Sequence, residues 1–264
     1  MTDGDALSRA HLTRGRPTPP LHRLPPTPAA AELVRGFWVP VWSIPEGEEW
    51  EQQVLQYPVC NLVVASDYAR LYGVVARLSR VTLAGRGWAF GAMLRPGTGY
   101  LLAERPVELL SDTHLDISAW TDLVAPVHRA MSAGAEDPAV REDCRDLMER
   151  WLLDRVRMDE EGRLVNELVD FVEQTPEVLR VAQICERFGL GERRLQRLTA
   201  KRLGLSPKWL IQRRRLHDAV GSLAAVGSLA DLAAELGYTD QAHFTRDFRA
   251  ATGLSPGAFA DLPA

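Results

Sequence analysis

From Val34 to Ile117, apolar residues come in short runs or alternate with polar ones. The segments are Phe37 to Trp42, Glu51 to Tyr57, Asn61 to Ala65, Leu71 to Ala76, Val81 to Leu83, Trp88 to Leu94 and Tyr100 to Leu102, with Gly and Pro between them. A period of two turns successive side chains to opposite faces of a strand, so this stretch predicts a β-rich sandwich or barrel. After Asp116 the period lengthens. Ala119 to Ala133, Asp137 to Val156 and Gly162 to Thr175 repeat apolar residues every three or four positions, as in Leu147, Trp151 and Leu152, and predict amphipathic helices. Their faces can be covered by the same chain or by a second copy. Residues 1–28 hold Pro17, Pro19, Pro20, Pro25, Pro26 and Pro28 with little periodicity, which predicts a mobile arm. The expected organisation is an arm over residues 1–28, a β-rich domain over 29–118, a helical connector over 119–160 available for dimerisation, and a helical domain over 161–264. The fold class is α+β multidomain.

The helical pattern then repeats itself. Val181, Ile184, Cys185 and Gly189 align with Leu229, Leu232, Ala233 and Gly237 at an offset of 48 residues. Leu195, Arg197, Gly204, Leu205, Ser206 and Pro207 align with Phe244, Arg246, Gly253, Leu254, Ser255 and Pro256 at 49, so one residue is added in the second turn. In each copy a short helix with small or apolar inward residues stops at a Gly able to adopt a left-handed turn. A second, polar helix follows, with Asp240 a better N-cap than Gly191. It carries Arg193, Arg194, Gln196, Arg197 and Lys201 in the first copy, and Gln241, Ala242, His243, Thr245, Arg246 and Arg249 in the second. Gly-Leu-Ser-Pro ends both, the Ser capping the next helix and the Pro filling its first turn. This is the grammar of the helix-turn-helix, whose second helix enters the DNA major groove. The units are expected over about 179–204 and 229–252. A helix over about 207–225 joins them; at 1.5 Å per residue it is roughly 28 Å long, against about 34 Å between successive major-groove faces.

Charge sharpens this picture. The chain has a formal net charge of −4, yet Arg180 to Val220 holds eleven basic residues against three acidic ones. That is a local excess of +8 and leaves −12 for the remainder, as expected of a polyanion-binding module beside an acidic partner domain. Arg213, Arg214 and Arg215 on the joining helix suit either phosphates or acidic neighbours. Composition is otherwise that of a globular protein, 46% hydrophobic and 25% charged. No apolar stretch has the length of a membrane span and no secretory signal is evident, so a cytoplasmic protein is expected.

The C-terminal residues resemble the DNA-binding domain of the AraC/XylS family of bacterial regulators. "LADLAAELGYTDQAHFTRDFRAATGLSPGAF" is close to that family's signature, and "ICERFGLGERRLQRLTAKRLGLSPKWL" is similar to its first half. The resemblance implies two helix-turn-helix units joined by a helix, acting in activation or repression. It also implies DNA contacts from Arg193, Arg194, Gln196 and Arg197 and from Gln241, Ala242, Thr245 and Arg246. The partners implied are double-stranded DNA, a small-molecule effector, a second copy of the chain as a homodimer, and RNA polymerase if the protein is an activator. Two positions depart from the pattern. Thr199 stands where an aromatic core residue is usual, as Phe248 is in the second copy, so the first unit is expected to pack more loosely; Ala242 offers DNA only a methyl group.

The N-terminal part resembles, through "RGFWVPVW", "YPVCNLVV" and "YGVVARLSRVTLAGRGWAFGAMLRPG", the β-rich sensor of some AraC-type regulators, which implies a cupin-like barrel with an effector pocket. Trp38, Trp42, Tyr57, Tyr72, Trp88 and Phe90 are its candidate lining; the alternative for such aromatics is core packing. No enzyme chemistry, metal or cofactor is expected. The six histidines, His11, His22, His114, His128, His217 and His243, form no HxH or HxxxH set, and Cys60, Cys144 and Cys185 form no CxxC pair and read as packed thiols. A protein-interaction module is the remaining rival, and the +8 segment argues against it.

Overall fold

The structure is a computed structural model that describes Leu12, residues 17–223 and residues 226–262. Eight strands are present among them: β1 Leu21–Leu24, β2 Val34–Ser43, β3 Glu49–Leu55, β4 Asn61–Ala65, β5 Ala69–Tyr72, β6 Leu78–Ala84, β7 Arg86–Leu94 and β8 His114–Asp116. The expected barrel takes the form of an antiparallel six-stranded sheet, in the order β1-β2-β7-β4-β5-β8, beside a two-stranded ribbon, β3-β6. Alternation decides the faces. Phe37, Val39, Leu62, Val64, Leu71, Phe90 and Leu94 turn inward to the main core, while Val63, Ala65 and Ala89 lie on the other face beneath Trp38, Trp42, Tyr68 and Tyr72.

Two expectations fail in this part of the chain. Residues 21–24, assigned to the arm, form an edge strand, with Leu21 opposite Pro40 and Leu24 opposite Phe37. An edge strand tolerates the neighbouring prolines because one of its sides needs no donors. Most of the rest of the arm lies outside the described residues, but Leu12 is buried and its N–H donates to the Gln53 carbonyl at 2.9 Å. Tyr100 to Leu102, read as a strand, falls in helix α1, Thr98–Ala103, which buries Thr98, Leu102 and Ala103. A three-residue apolar run is too short for its period to tell helix from strand.

Helices α2 Thr121–Gly134, α3 Pro138–Arg155 and α4 Glu160–Gln174 follow. Asp137 caps α3, accepting from Ala139 N–H at 2.9 Å with Pro138 in the first turn, and Asp159 caps α4 through Gly162 N–H at 2.7 Å. Leu123, Val127 and Met131 of α2 and Cys144, Met148 and Leu152 of α3 join the sheet's inner core, so these faces are covered by the same chain. Burial pushes the Cys60 thiol up to about 12 and the Cys144 thiol up to about 11, which keeps both protonated at neutral pH.

The C-terminal helices are α5 Val181–Phe188, α6 Glu192–Leu203, α7 Pro207–Ser222, α8 Leu229–Glu235, α9 Gln241–Thr252 and α10 Pro256–Ala260. Gln183 starts α5 by accepting from the Leu179 and Arg180 N–H groups at 3.0 and 2.9 Å. The two inter-helix turns rest on Gly189 and Gly237, with φ of 62° and 73°, a region costly for any residue with a Cβ. Ser206, with Pro207 in the first turn, starts α7, and the final positions of the expected joining helix, 224 and 225, lie outside the described residues. No helix of the described residues is long and apolar enough to cross a membrane.

These helices are docked on the sheet domain. The Gly97 N–H donates to Asn166 Oδ1 at 2.8 Å, Arg35 holds Glu173 with two bonds at 3.0 and 2.6 Å, and the Ser111 hydroxyl donates to the Gly204 carbonyl at 3.2 Å. A Cβ on Gly204 would collide with Ser111 Oγ, so the close approach requires glycine there.

Candidate nucleic-acid interface

In α6 the apolar residues Leu195, Leu198 and Leu203 recur at three- and five-residue intervals and are buried with Thr199 and Arg202. The remaining face carries Arg193, Arg194, Gln196, Arg197 and Lys201, all exposed. In α9 the buried set is Phe244, Phe248 and Thr252; Gln241, Ala242, Arg246 and Arg249 are exposed, and His243 and Thr245 half-buried. Asp240 caps α9 by accepting from His243 N–H at 2.7 Å. The second helix of each unit thus turns its cations outward.

Their partners separate them. Among the described residues, no carboxylate pairs with Arg193, Arg194, Arg197, Arg246 or Arg249. Gln196 donates to Glu192 at 3.1 Å within its own helix, and His243 sits 3.6 Å from Asp247 with its ring against Tyr238. Lys201 differs from the expectation. Its ammonium lies 3.6 Å from Glu161 and 4.9 Å from the centre of the Tyr100 ring, which turns it toward the sheet domain. Beside it Arg202, buried, binds Asp159 at 2.5 Å and Glu161 at 2.9 Å and stacks over Tyr100. The hydrogen bond from Arg202 holds the Glu161 carboxyl below its usual range; for Asp159 burial opposes, and the Arg202 and Gly162 hydrogen bonds override it.

The arginine triplet of α7 does not face solvent. Arg213 donates to the Ala76 carbonyl at 2.6 Å and lies over the Trp209 ring at 4.4 Å; burial pushes its guanidinium down to about 10. Arg214 holds Asp218 at 3.1 Å and the Val178 carbonyl at 3.1 Å, and Arg215 stacks 3.5 Å from the centre of the Tyr238 ring. Of the two roles open to these residues, phosphate contact is removed by their burial. With Arg202 they account for four of the eleven basic residues of the segment, so the surface excess is smaller than the sequence suggests. Lys208 and Arg187 also remain exposed and were not among the expected contacts; the Arg187 guanidinium lies over the Phe171 and Phe188 rings, at 5.8 and 5.4 Å from their centres.

The six candidate pocket aromatics are not brought together. Phe90 and Trp88 face the inner core, where Phe90 packs on Phe37 at 5.7 Å. Trp38, Trp42 and Tyr72 share the opposite face with Tyr68, which the sequence reading missed. There Trp38 lies over Gly91 and Trp42 over Gly87, their cross-strand partners. Tyr57 stands apart, stacked on His217 of α7 at 4.2 Å. Residues two apart on β7 share a face, but which strands lie beside them is set by the sheet order. Among the described residues no group of three or more His, Cys, Asp and Glu side chains is placed to hold a metal ion.

Comparison with known proteins assigns both parts. Residues 184–261 match the model of a helix-turn-helix domain, and residues 22–116 that of a domain of unknown function (DUF6597). The chain is 33% identical over 85 residues to the uncharacterised HTH-type transcriptional regulator YfiF of Bacillus subtilis, covering 32% of this chain and 27% of that protein's length. Among solved structures it is similar to ToxT from Vibrio cholerae, at 11% identity and a TM-score of 0.46 over 86% of this chain and 97% of ToxT. It is also similar to the C-terminal domain of AraT, a response regulator from Geobacillus stearothermophilus, at 21% identity and a TM-score of 0.34 over 40% and 87% of the two chains. The C-terminal part of this chain thus matches a helix-turn-helix domain.

Proposed function

We propose that the protein is a sequence-specific DNA-binding transcription regulator that acts by binding rather than catalysis, and that a small-molecule effector held by its N-terminal half modulates it. One observation carries the DNA reading: two copies of one helix-turn-helix grammar each expose arginines paired with no carboxylate among the described residues, Arg193, Arg194 and Arg197 on α6 and Arg246 and Arg249 on α9. Unpaired surface cations are what phosphates and guanine edges attract, because Arg binds guanine O6 and N7 bidentately. Gln196, Gln241 and Thr245 add hydrogen-bonding groups on the same helices, and Ala242 adds a methyl contact. The regulatory half of the reading is supported by the sheet domain's hold on the helix that joins the units: the Ala76 carbonyl accepts from Trp209 Nε1 at 3.3 Å and from Arg213.

The test is selection of duplexes from a random pool by the purified full chain, followed by titration of the recovered duplex at two salt concentrations. A single recurrent motif is expected, with affinity falling about a thousandfold or more between 50 mM and 200 mM salt if six or more phosphates are contacted. An affinity indifferent to salt, or no enriched motif, contradicts the proposal.

A further inference from the structure

The two-stranded ribbon packs one of its faces on the second helix-turn-helix unit. Leu55 of β3 and Leu78 of β6 stand opposite each other and join the cluster that holds Phe244 and Phe248. Two residues further along β6, on the same face, Arg80 stands opposite Gln53. Arg80 is exposed, and no carboxylate pairs with it among the described residues. Of the acidic residues on that face of β3, Glu51 accepts from the Gln53 amide at 2.7 Å and Glu49 lies at the far end of the ribbon, opposite Ala84. Arg80 Nη2 lies 3.6 Å from the point where a Cβ on Gly253 would stand. Gly253 ends α9, its N–H donating to the Arg249 carbonyl at 2.9 Å. The sheet domain therefore sets an exposed guanidinium at the C-terminal end of the second reading helix.

Two arguments give that guanidinium a partner. Ala242, Arg246, Arg249 and Gly253 follow one another at intervals of four, three and four, so they share a face, and the first three are exposed. Arg80 extends the row of cations that this face presents. Length decides the rest. The twelve residues of α9 span about 18 Å at 1.5 Å per residue, whereas the major groove is about 12 Å wide. With the N-terminal residues of the helix at the base edges, its C-terminal end reaches past the groove to the phosphates that border it.

We propose that Arg80 of the sheet domain binds a DNA backbone phosphate flanking the base pairs read by α9. The contact rests on the reading of the protein as a DNA-binding regulator and lies outside both helix-turn-helix units. A phosphate carries no base identity, so Arg80 supplies affinity and register rather than specificity. Affinity at the second unit then depends on the ribbon staying docked through Leu55 and Leu78.

The experiment is titration of the full chain with the selected duplex and with a random one between 50 mM and 200 mM salt. Arg80→Gln should weaken both by the same factor, roughly three- to tenfold, and lower the slope of log affinity against log salt by about one. Arg80→Lys, which keeps the charge, should restore most of the loss. A cation beside a helix C-terminus also favours the helix, so a merely supporting role predicts a loss of affinity with the slope unchanged. Neutral methylphosphonates placed singly along the selected duplex give a second readout. At a position bordering the base pairs where Arg246→Ala loses discrimination, one of them should weaken wild type by the same factor and leave Arg80→Gln unaffected. An unchanged slope in Arg80→Gln, a loss confined to the selected duplex, no bordering position at which the methylphosphonate weakens wild type, or equal methylphosphonate effects in wild type and variant overturns the contact. Wild-type affinity indifferent to salt contradicts the DNA reading itself; salt-dependent wild-type binding that Arg80→Gln leaves unaltered contradicts the role of Arg80 alone.

Discussion

The two helix-turn-helix units share a grammar but not a means of support. The first is built into the sheet domain's core: Ile184, Leu195, Leu198, Leu203 and Leu205 belong to the same cluster as Phe90 and Leu62. The second has a core of its own, shared with the joining helix. Tyr238, Phe244, Phe248 and Phe259 form a chain of rings with centres 5.2 to 5.7 Å apart, in a separate cluster that takes Leu12 and Leu55 from the N-terminal half. Thr199 fits this contrast. Where the second unit has Phe248 the first has a fully buried Thr whose hydroxyl donates to the Gln196 carbonyl at 3.2 Å. The first unit is therefore the one the sheet domain can influence, and no looser packing is seen at its fully buried Thr199.

Substitutions at the two equivalent positions break the comparison most strongly. Phe248→Ala empties the centre of the aromatic core and should cost about 3 to 5 kcal/mol, whereas Thr199→Ala should cost about 1 kcal/mol, both read from urea unfolding. Similar losses at the two sites would mean that the units are supported alike. Next in size are the reading arginines. Arg197→Ala and Arg246→Ala should each remove about 1 to 3 kcal/mol of discrimination at particular base pairs of the selected duplex, and a loss uniform over all base pairs would reduce them to phosphate contacts.

The docking of the first unit gives a third prediction. Arg202→Gln leaves Asp159 and Glu161 without their guanidinium, and because both carboxylates are nearly half exposed the cost should be about 1 to 2 kcal/mol rather than that of a fully buried pair. Proteolysis should then find α6 more readily than α9. The smallest effect is on pH dependence. Both carboxyls are held below their ordinary values of 3.8 and 4.5, so their stabilisation is fully present above pH 4.5 and is lost as pH falls through the lowered values. Unfolding midpoints of wild type and Arg202→Gln should converge in acid; a constant gap down to pH 3 would show that the pairs contribute nothing.

The same contrast explains what could be read in advance. The repeat, its glycines and its Ser-Pro caps act through local backbone geometry, and so does the polar face of each reading helix; these were legible. The burial of Arg213, Arg214 and Arg215 was not, because a helical period says which residues share a face but not that a second domain will close over α7. Strand alternation placed Trp88 and Phe90 together, yet their separation from Trp38, Trp42 and Tyr72 follows from the order β2-β7-β4, a matter of long-range pairing. Tyr57 reached a junction between domains that no local pattern encodes.

The central claim is that one chain presents two arginine-bearing helices to two segments of major groove. Hydroxyl-radical footprinting of the selected duplex tests it most directly. The account predicts two protected segments about one helical turn apart, with Arg246→Ala weakening one and Arg197→Ala the other. A single protected segment, or equal loss of both with either substitution, would contradict it.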